Sequence, residues 1–123
     1  MGRIGFDLMT ERRLRACHDA FGERGFRRIF TERELATTAT SRNRFERLAA
    51  RFAAKEAVMK VLGRRVDFRR IEIVGGGRAR AEALLWGRDG VVAGRFDVSM
   101  SHQDGWCGAV CLGESRSGGE VGV

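Results

Sequence analysis

The sequence predicts an α+β fold, a single small domain built on a mainly antiparallel sheet. Three observations carry this. A short alternating strand opens the chain, helical patterns follow it, and the second half is a run of strands separated by glycine-containing turns. At 123 residues, 43% of them apolar, the chain suits one domain with a real but modest core.

The elements follow in order. "RIGFDLM", residues 3–9, alternates as a strand and carries Asp7 near its end. Thr10 can cap a helix running to about Phe21, with Leu14, Cys17, His18 and Phe21 on one face. "TERE", Thr31 to Glu34, matches a capping box and starts a short helix. "TTATSRN", residues 37–43, is a polar break. A long helix follows from about Arg44 to Leu62, with Gly63 as its C-cap. "RIEIV", residues 70–74, and "RAEALLW", residues 80–86, form a hairpin around the "GGGR" turn. "RFDVSMS", 95–101, and "CGAVCLG", 107–113, pair around "SHQDGW", which places His102 in a turn. The folded domain spans residues 1–113, and residues 114–123 form a flexible tail.

The long helix holds the most informative stretch, "RFAAKEAVMK", Arg51 to Lys60. Ala50, Ala53, Ala54, Ala57, Val58 and Val61 recur at helical spacing and form one apolar stripe. The run of alanines predicts a close approach by whatever packs there. Glu56 and Lys60 lie one turn apart, away from the stripe, in the company of Phe52 and Met59. A solvated face does not usually carry a Phe and a Met, so that side is covered too, by another element or another subunit. Two readings stand. Glu56 and Lys60 form an ordinary i, i+4 ion pair, or they belong to a partly covered functional site.

Composition narrows the partners. Twenty-three basic and 16 acidic residues give a net charge of +7, which suits an anionic partner such as nucleic acid, an acidic protein or a phosphate-bearing ligand. No block of five like charges suggests a disordered basic arm. The three cysteines lack metal-ligand spacing. Cys107 and Cys111 share one strand face and read as core filling. An odd cysteine count with no export signal predicts a reducing, cytoplasmic setting, and no apolar run is long enough to span a bilayer. "GGGR" lacks the spacing of a phosphate loop and precedes a strand, so it is read as a turn. Ser101 and His102 are sequence neighbours on a strand, which does not make a catalytic dyad. What remains is Asp7 and Glu56. Two carboxylates brought together can hold Mg²⁺ with waters and substrate phosphates, and nearby lysines and arginines would bind those phosphates. The spacing permits this scheme without requiring it.

Three motifs make the scheme specific. "GFD" (residues 5–7), "RFAAKEAVMKVLG" (residues 51–63) and "VSMSH" (residues 98–102) resemble the holo-acyl-carrier-protein synthases, small phosphopantetheinyl transferases. Arg51, Phe52, Ala53, Lys55, Glu56, Ala57, Lys60 and Gly63 all match the middle motif, and the resemblance spans roughly residues 4–112. It implies a sheet wrapped around one long central helix. It implies transfer of the 4′-phosphopantetheine arm of coenzyme A to a serine of an apo acyl carrier protein, releasing adenosine 3′,5′-bisphosphate, for a fatty-acid or polyketide carrier. Asp7 and Glu56 would hold Mg²⁺, and a metal-bound water or Glu56 would take the serine proton. Lys60 would stabilise the leaving phosphate. Arg51, Ser101 and His102 would bind coenzyme A, with Arg51 and His102 near its 3′-phosphate. The helix after Asp7 would dock the carrier through Arg13, with Arg12, Arg24, Arg27 and Arg28 adding to it. The family is usually a homotrimer with each site built between neighbours, so Phe52 and Met59 would line that pocket or interface.

The sequence departs from the family pattern at Phe6, where a small aliphatic residue is usual. Arg64-Arg65 stands in place of small residues, Gly77-Arg78-Ala79 in place of G-K-P, and Gln103 follows His102. Two other readings remain, a basic α+β nucleic-acid-binding module and a homologue that binds coenzyme A or a carrier without chemistry. The absence of tyrosine and of paired aromatics on a strand weighs against the first. The intact Asp7, Glu56 and Lys60 weigh against the second.

Overall fold

The computed structural model describes residues 2–77 and 79–114. The chain runs β1 (Gly2–Thr10), α1 (Glu11–Phe26), α2 (Glu32–Thr38), α3 (Arg44–Leu62), a 3₁₀ turn (Phe68–Arg70), β2 (Ile71–Gly76), β3 (Ala79–Trp86), β4 (Val92–Gln103) and β5 (Trp106–Glu114). All five strands form one antiparallel sheet in the order β1-β5-β4-β3-β2. α3 contacts every strand, so the sheet does wrap around one long helix. The expected tail lies outside the described residues, except that Glu114 ends β5.

Small residues let α3 come close. Its stripe of Ala50, Ala53, Ala54, Ala57, Val58 and Val61 is buried as the periodicity predicts. Opposite it, a Cβ on Gly5 would lie 2.0 Å from the carbonyl oxygen of Ala57, so β1 passes the helix where only glycine fits. Gly63 ends α3 in the left-handed conformation (φ 74°, ψ 20°), and its N–H donates to the carbonyl of Met59.

Three expectations change. α1 continues past Phe21 to Phe26, because Gly22 takes φ 63° and ψ −164° and lets the chain kink and resume its helix. Phe21 itself is 68% exposed and not on the core face with Leu14. His102 lies in β4 with Ser101, not in a turn, because a two-residue turn at Asp104 (φ 53°) and Gly105 (φ 81°) closes the β4–β5 hairpin later than expected. Phe52 and Met59 pack against their own chain. Phe52 stacks on Phe68 with ring centroids 5.0 Å apart and stays partly exposed one turn before Glu56, whereas Met59 is buried in the core and lines no pocket.

Lys55 is fully buried. Its Nζ lies 2.7 Å from Glu34 Oε1 and donates to the carbonyls of Ile29 (2.8 Å) and Phe68 (3.0 Å). Glu34 closes the predicted capping box by accepting from the Thr31 N–H at 2.9 Å, while Thr31 Oγ1 accepts from the Glu34 N–H. The other carboxylate oxygen of Glu34 accepts from the Ile73 N–H at 2.7 Å. Thr31 Oγ1 also donates to Glu72 at 2.6 Å. Burial pushes the Lys55 ammonium below its ordinary pKa, and Glu34 pulls it back.

Breaking a buried pair strands its partner, so Lys55→Met should lose about 3–5 kcal/mol in urea unfolding. The double variant Lys55→Met/Glu34→Gln should recover part of that loss, because the glutamine amide keeps an acceptor without a buried charge. A Lys55→Met protein within about 1 kcal/mol of wild type would refute this role. The thiols give a second test. Burial pushes Cys107 up to about 11 and Cys111 up to about 12, whereas Cys17 is half-buried. Iodoacetamide at neutral pH should label Cys17 in the folded protein and spare the other two, read by peptide mass. Labelling of Cys107 or Cys111 as fast as Cys17 would contradict their placement in the core.

Candidate functional site

The first cluster forms where β1, the last turns of α3 and the chain just beyond it meet. Asp7 sits in the middle of β1, because the strand runs on to Thr10, and its carboxylate is partly exposed. Lys60 Nζ lies 3.2 Å from Asp7 Oδ1 and donates to the carbonyl of Phe6 at 2.7 Å. Glu56 does not pair with Lys60, as the simpler sequence reading had it. Its partner is Arg65, whose Nη1 and Nη2 donate to Oε2 at 2.8 Å and Oε1 at 3.2 Å. The Arg65 guanidinium is held above its ordinary pKa, chiefly by Glu56, with Asp7 adding to the effect. One arginine therefore lies in the field of both carboxylates.

Arg65 is the residue sequence reasoning missed. It stood out only as a bulky departure from small residues. The signal for its place was nevertheless present: a left-handed cap at Gly63 turns the chain back along the helix, which brings the residues just after it beside the last turns.

Asp7 and Glu56 are hard oxygen donors with some solvent access, which fits Mg²⁺ bound through two carboxylates and otherwise by water or phosphate. Among the described residues no group of three or more His, Cys, Asp or Glu could hold a metal. A protein-only cage of the kind zinc prefers is absent from that set.

The second cluster lines a cleft of about 710 Å³ between the first half of α3, the β2–β3 turn and the far half of β4. β3 and β4 are last paired at Glu82 and Asp97, and beyond that point β4 pairs with β5 alone. The sheet therefore opens. Arg47, Arg51, Arg80, Ser101 and His102 line the opening. Arg51 is nearly fully buried, with Nη1 donating to the Arg47 carbonyl at 3.1 Å and Nη2 reaching the Gly75 carbonyl at 3.5 Å. Its buried Nε has no partner. Burial, with Arg47 nearby, pushes the guanidinium pKa down. His102 Nδ1 lies 3.0 Å from Glu46 Oε1. The "GGG" turn holds all three glycines at positive φ, and Gly76 and Gly77 form part of the cleft wall.

The structure does not bring these clusters together. At 3.6 residues per turn, Lys60 lies roughly 180° around α3 from Arg51, and Glu56 about 140° from it. The helix stands between the carboxylates and the arginine-lined cleft.

A third group lies on α1 and just after it. Arg12, Arg13, Arg24, Arg27 and Arg28 are all exposed. Arg24 and Arg28 flank an apolar groove lined by Cys17, Phe21 and Ile29. On the face of the sheet away from α3, Ile4, Phe6, Leu8, Val110 and Leu112 are exposed, and Ile4 pairs with Leu112 and Phe6 with Val110 across the β1–β5 ladder. Among the described residues no helix is long and apolar enough to cross a membrane.

Comparison with known proteins gives a consistent answer. The 4′-phosphopantetheinyl transferase superfamily model matches residues 3–111. The holo-[acyl-carrier-protein] synthase of Chlorobaculum tepidum is 32% identical over 117 residues, covering 92% of this chain and 98% of that protein. The crystal structure of holo-[acyl-carrier-protein] synthase from Neisseria meningitidis superposes with a TM-score of 0.77 at 28% identity, covering 91% of this chain and 97% of that one. The ACPS–CoA complex of Chronobacterium ammoniagenes superposes with a TM-score of 0.73 at 27% identity, covering 91% of this chain and 96% of that one.

Proposed function

Because this chain belongs to the 4′-phosphopantetheinyl transferase superfamily, and within it to the holo-acyl-carrier-protein synthases, we propose that it moves the 4′-phosphopantetheine arm of coenzyme A onto a serine of an apo acyl carrier protein. The observation that supports the reading is the contact of Lys60 with Asp7, with Glu56 one helical turn before Lys60 on α3. The serine Oγ–P bond forms as the pyrophosphate P–O bond breaks, and adenosine 3′,5′-bisphosphate leaves. Glu56 is the chain's own acceptor for the serine proton. Lys60, held beside Asp7 with its ammonium half exposed, is placed to meet the charge that develops on the leaving phosphate. Mg²⁺ held by Asp7 and Glu56 would neutralise charge on the pyrophosphate.

Coenzyme A fits the cleft by charge. Among the described residues, three arginines and His102 face a space with one acidic side chain, Asp97, whose Oδ1 lies 3.5 Å from Arg80. The buried, rigid Arg51 suits a phosphate at a fixed position, with Ser101 and His102 beside it. Arg13, Arg12, Arg24 and Arg28 on α1 and just after it form the docking surface for the acidic carrier, and the Phe21 groove gives it an apolar anchor.

One chain cannot present both halves of this site, because α3 separates them. A homotrimer resolves the problem, with the carboxylate cluster of one protomer facing the cleft of its neighbour. The exposed apolar strip on β1 and β5 supports an assembly of this kind, since it is larger and more continuous than scattered surface hydrophobics.

Two experiments test the reading. Incubation with coenzyme A, Mg²⁺ and apo carrier should add the arm's mass to the carrier, and Glu56→Gln should slow the transfer roughly 10²–10⁴-fold with the fold intact. The transferase reading fails if several apo carriers stay unmodified while another holo-carrier synthase modifies them. Wild-type turnover in Glu56→Gln would remove the role given to that residue. For the shared site, Arg51→Ala and Glu56→Gln should each be nearly inactive alone. Refolded together they should regain activity, since random mixing leaves about one quarter of heterologous sites with both residues intact. Mixtures no better than either variant would mean that each site is built within one chain.

A further inference from the structure

Glu56 is gripped from outside its own helix. Both carboxylate oxygens accept from Arg65, at 2.8 and 3.2 Å. A divalent cation taking an oxygen of Glu56 would have to share that carboxylate with a guanidinium of like charge. The two side chains differ in freedom: that of Glu56 is 17% exposed and that of Arg65 is 68% exposed. Glu56 is therefore the fixed member of the pair, while Arg65 can leave into water without burying its charge or losing hydration. Asp7 adds to the field that holds the guanidinium there.

We propose that Arg65 is a tethered counter-ion for Glu56, one that a divalent cation must displace. It acts through Glu56 and is a positioning residue. It holds the carboxylate ready in the free protein and lowers the affinity of the pair for metal. This rests on the reading of Asp7 and Glu56 as metal ligands, and the experiment separates the two claims.

The probe is Mn²⁺ alone, titrated into the purified full-length protein without coenzyme A and followed through the electron paramagnetic resonance signal of the free ion. Arg65→Ala should bind Mn²⁺ about two- to tenfold more tightly than wild type at low ionic strength, a modest change because the pair is exposed. The difference should shrink as salt screens it. Arg65→Lys should fall between the two, since lysine keeps the charge and loses the bidentate grip. Arg95→Ala removes the same charge from the Glu82 pair on β4 and should leave binding unchanged. Asp7→Asn and Glu56→Gln should abolish binding. If those two lose Mn²⁺ while Arg65→Ala binds no more tightly than wild type, the counter-ion role is wrong and the ligand assignment stands. If Asp7→Asn and Glu56→Gln bind as wild type does, or no variant binds at all, the ligand assignment falls and the counter-ion role with it.

Discussion

The ammonium of Lys55 organises this fold. It offers three protons and finds three acceptors, the Glu34 carboxylate and the carbonyls of Ile29 and Phe68. Those acceptors belong to α2, the loop before it and the 3₁₀ turn, so one buried cation ties α3 to three separate pieces of chain. A buried charge with any acceptor missing would carry a desolvation penalty of several kcal/mol. The requirement for all three fixes how far α3 may rotate. Through Glu34 the network extends to the backbone of β2, and through Thr31 to Glu72.

Once α3 is fixed in rotation, the functional side chains have little freedom. Arg51 lies one turn before Lys55 on nearly the same side and faces the cleft. Glu56, the next residue after Lys55, points about 100° further round, where Arg65 meets it. The alanine stripe between them lies so close to the sheet that Gly5 can carry no side chain. Neither group can move toward the other without breaking the packing of the whole helix. The separation is thus a rigid property of the chain, and a site that needs both would have to draw one of them from a second copy.

Much of this was legible in the sequence, for identifiable reasons. α3 was readable from Arg44 to the Gly63 cap because its stripe, its helix formers and its glycine agree. The Thr31–Glu34 capping box was readable because its rule is local. The helix kink at Gly22 was not, since a glycine tolerated within a helix and a glycine that bends one look alike before the Glu23 contacts beyond it are known. The role of Lys55 was not legible beyond its motif match, because its three acceptors lie 13 to 26 residues away and no periodicity links them. For Glu56 and Lys60 the spacing gave the shared face but left both a mutual i, i+4 pair and a functional site open. Tertiary contacts supplied better partners for both: Asp7 for Lys60 and Arg65 for Glu56.

That exchange of partners bears on how the molecule meets anions. Net charge acts weakly beyond a Debye length of about 8 Å in physiological salt, so distant arginines do little for a ligand in either cluster. Local pairing decides. Two uncovered carboxylates would repel an incoming pyrophosphate, and Asp7 and Glu56 each carry a cation from their own chain. Glu46, outside the cleft lining, is likewise paired with His102, whose imidazole covers its charge when protonated. The acids that the chemistry calls for are thereby kept at the surface without presenting a negative field. Removing Lys60 or Arg65 would expose that field locally even though the chain as a whole stayed strongly basic.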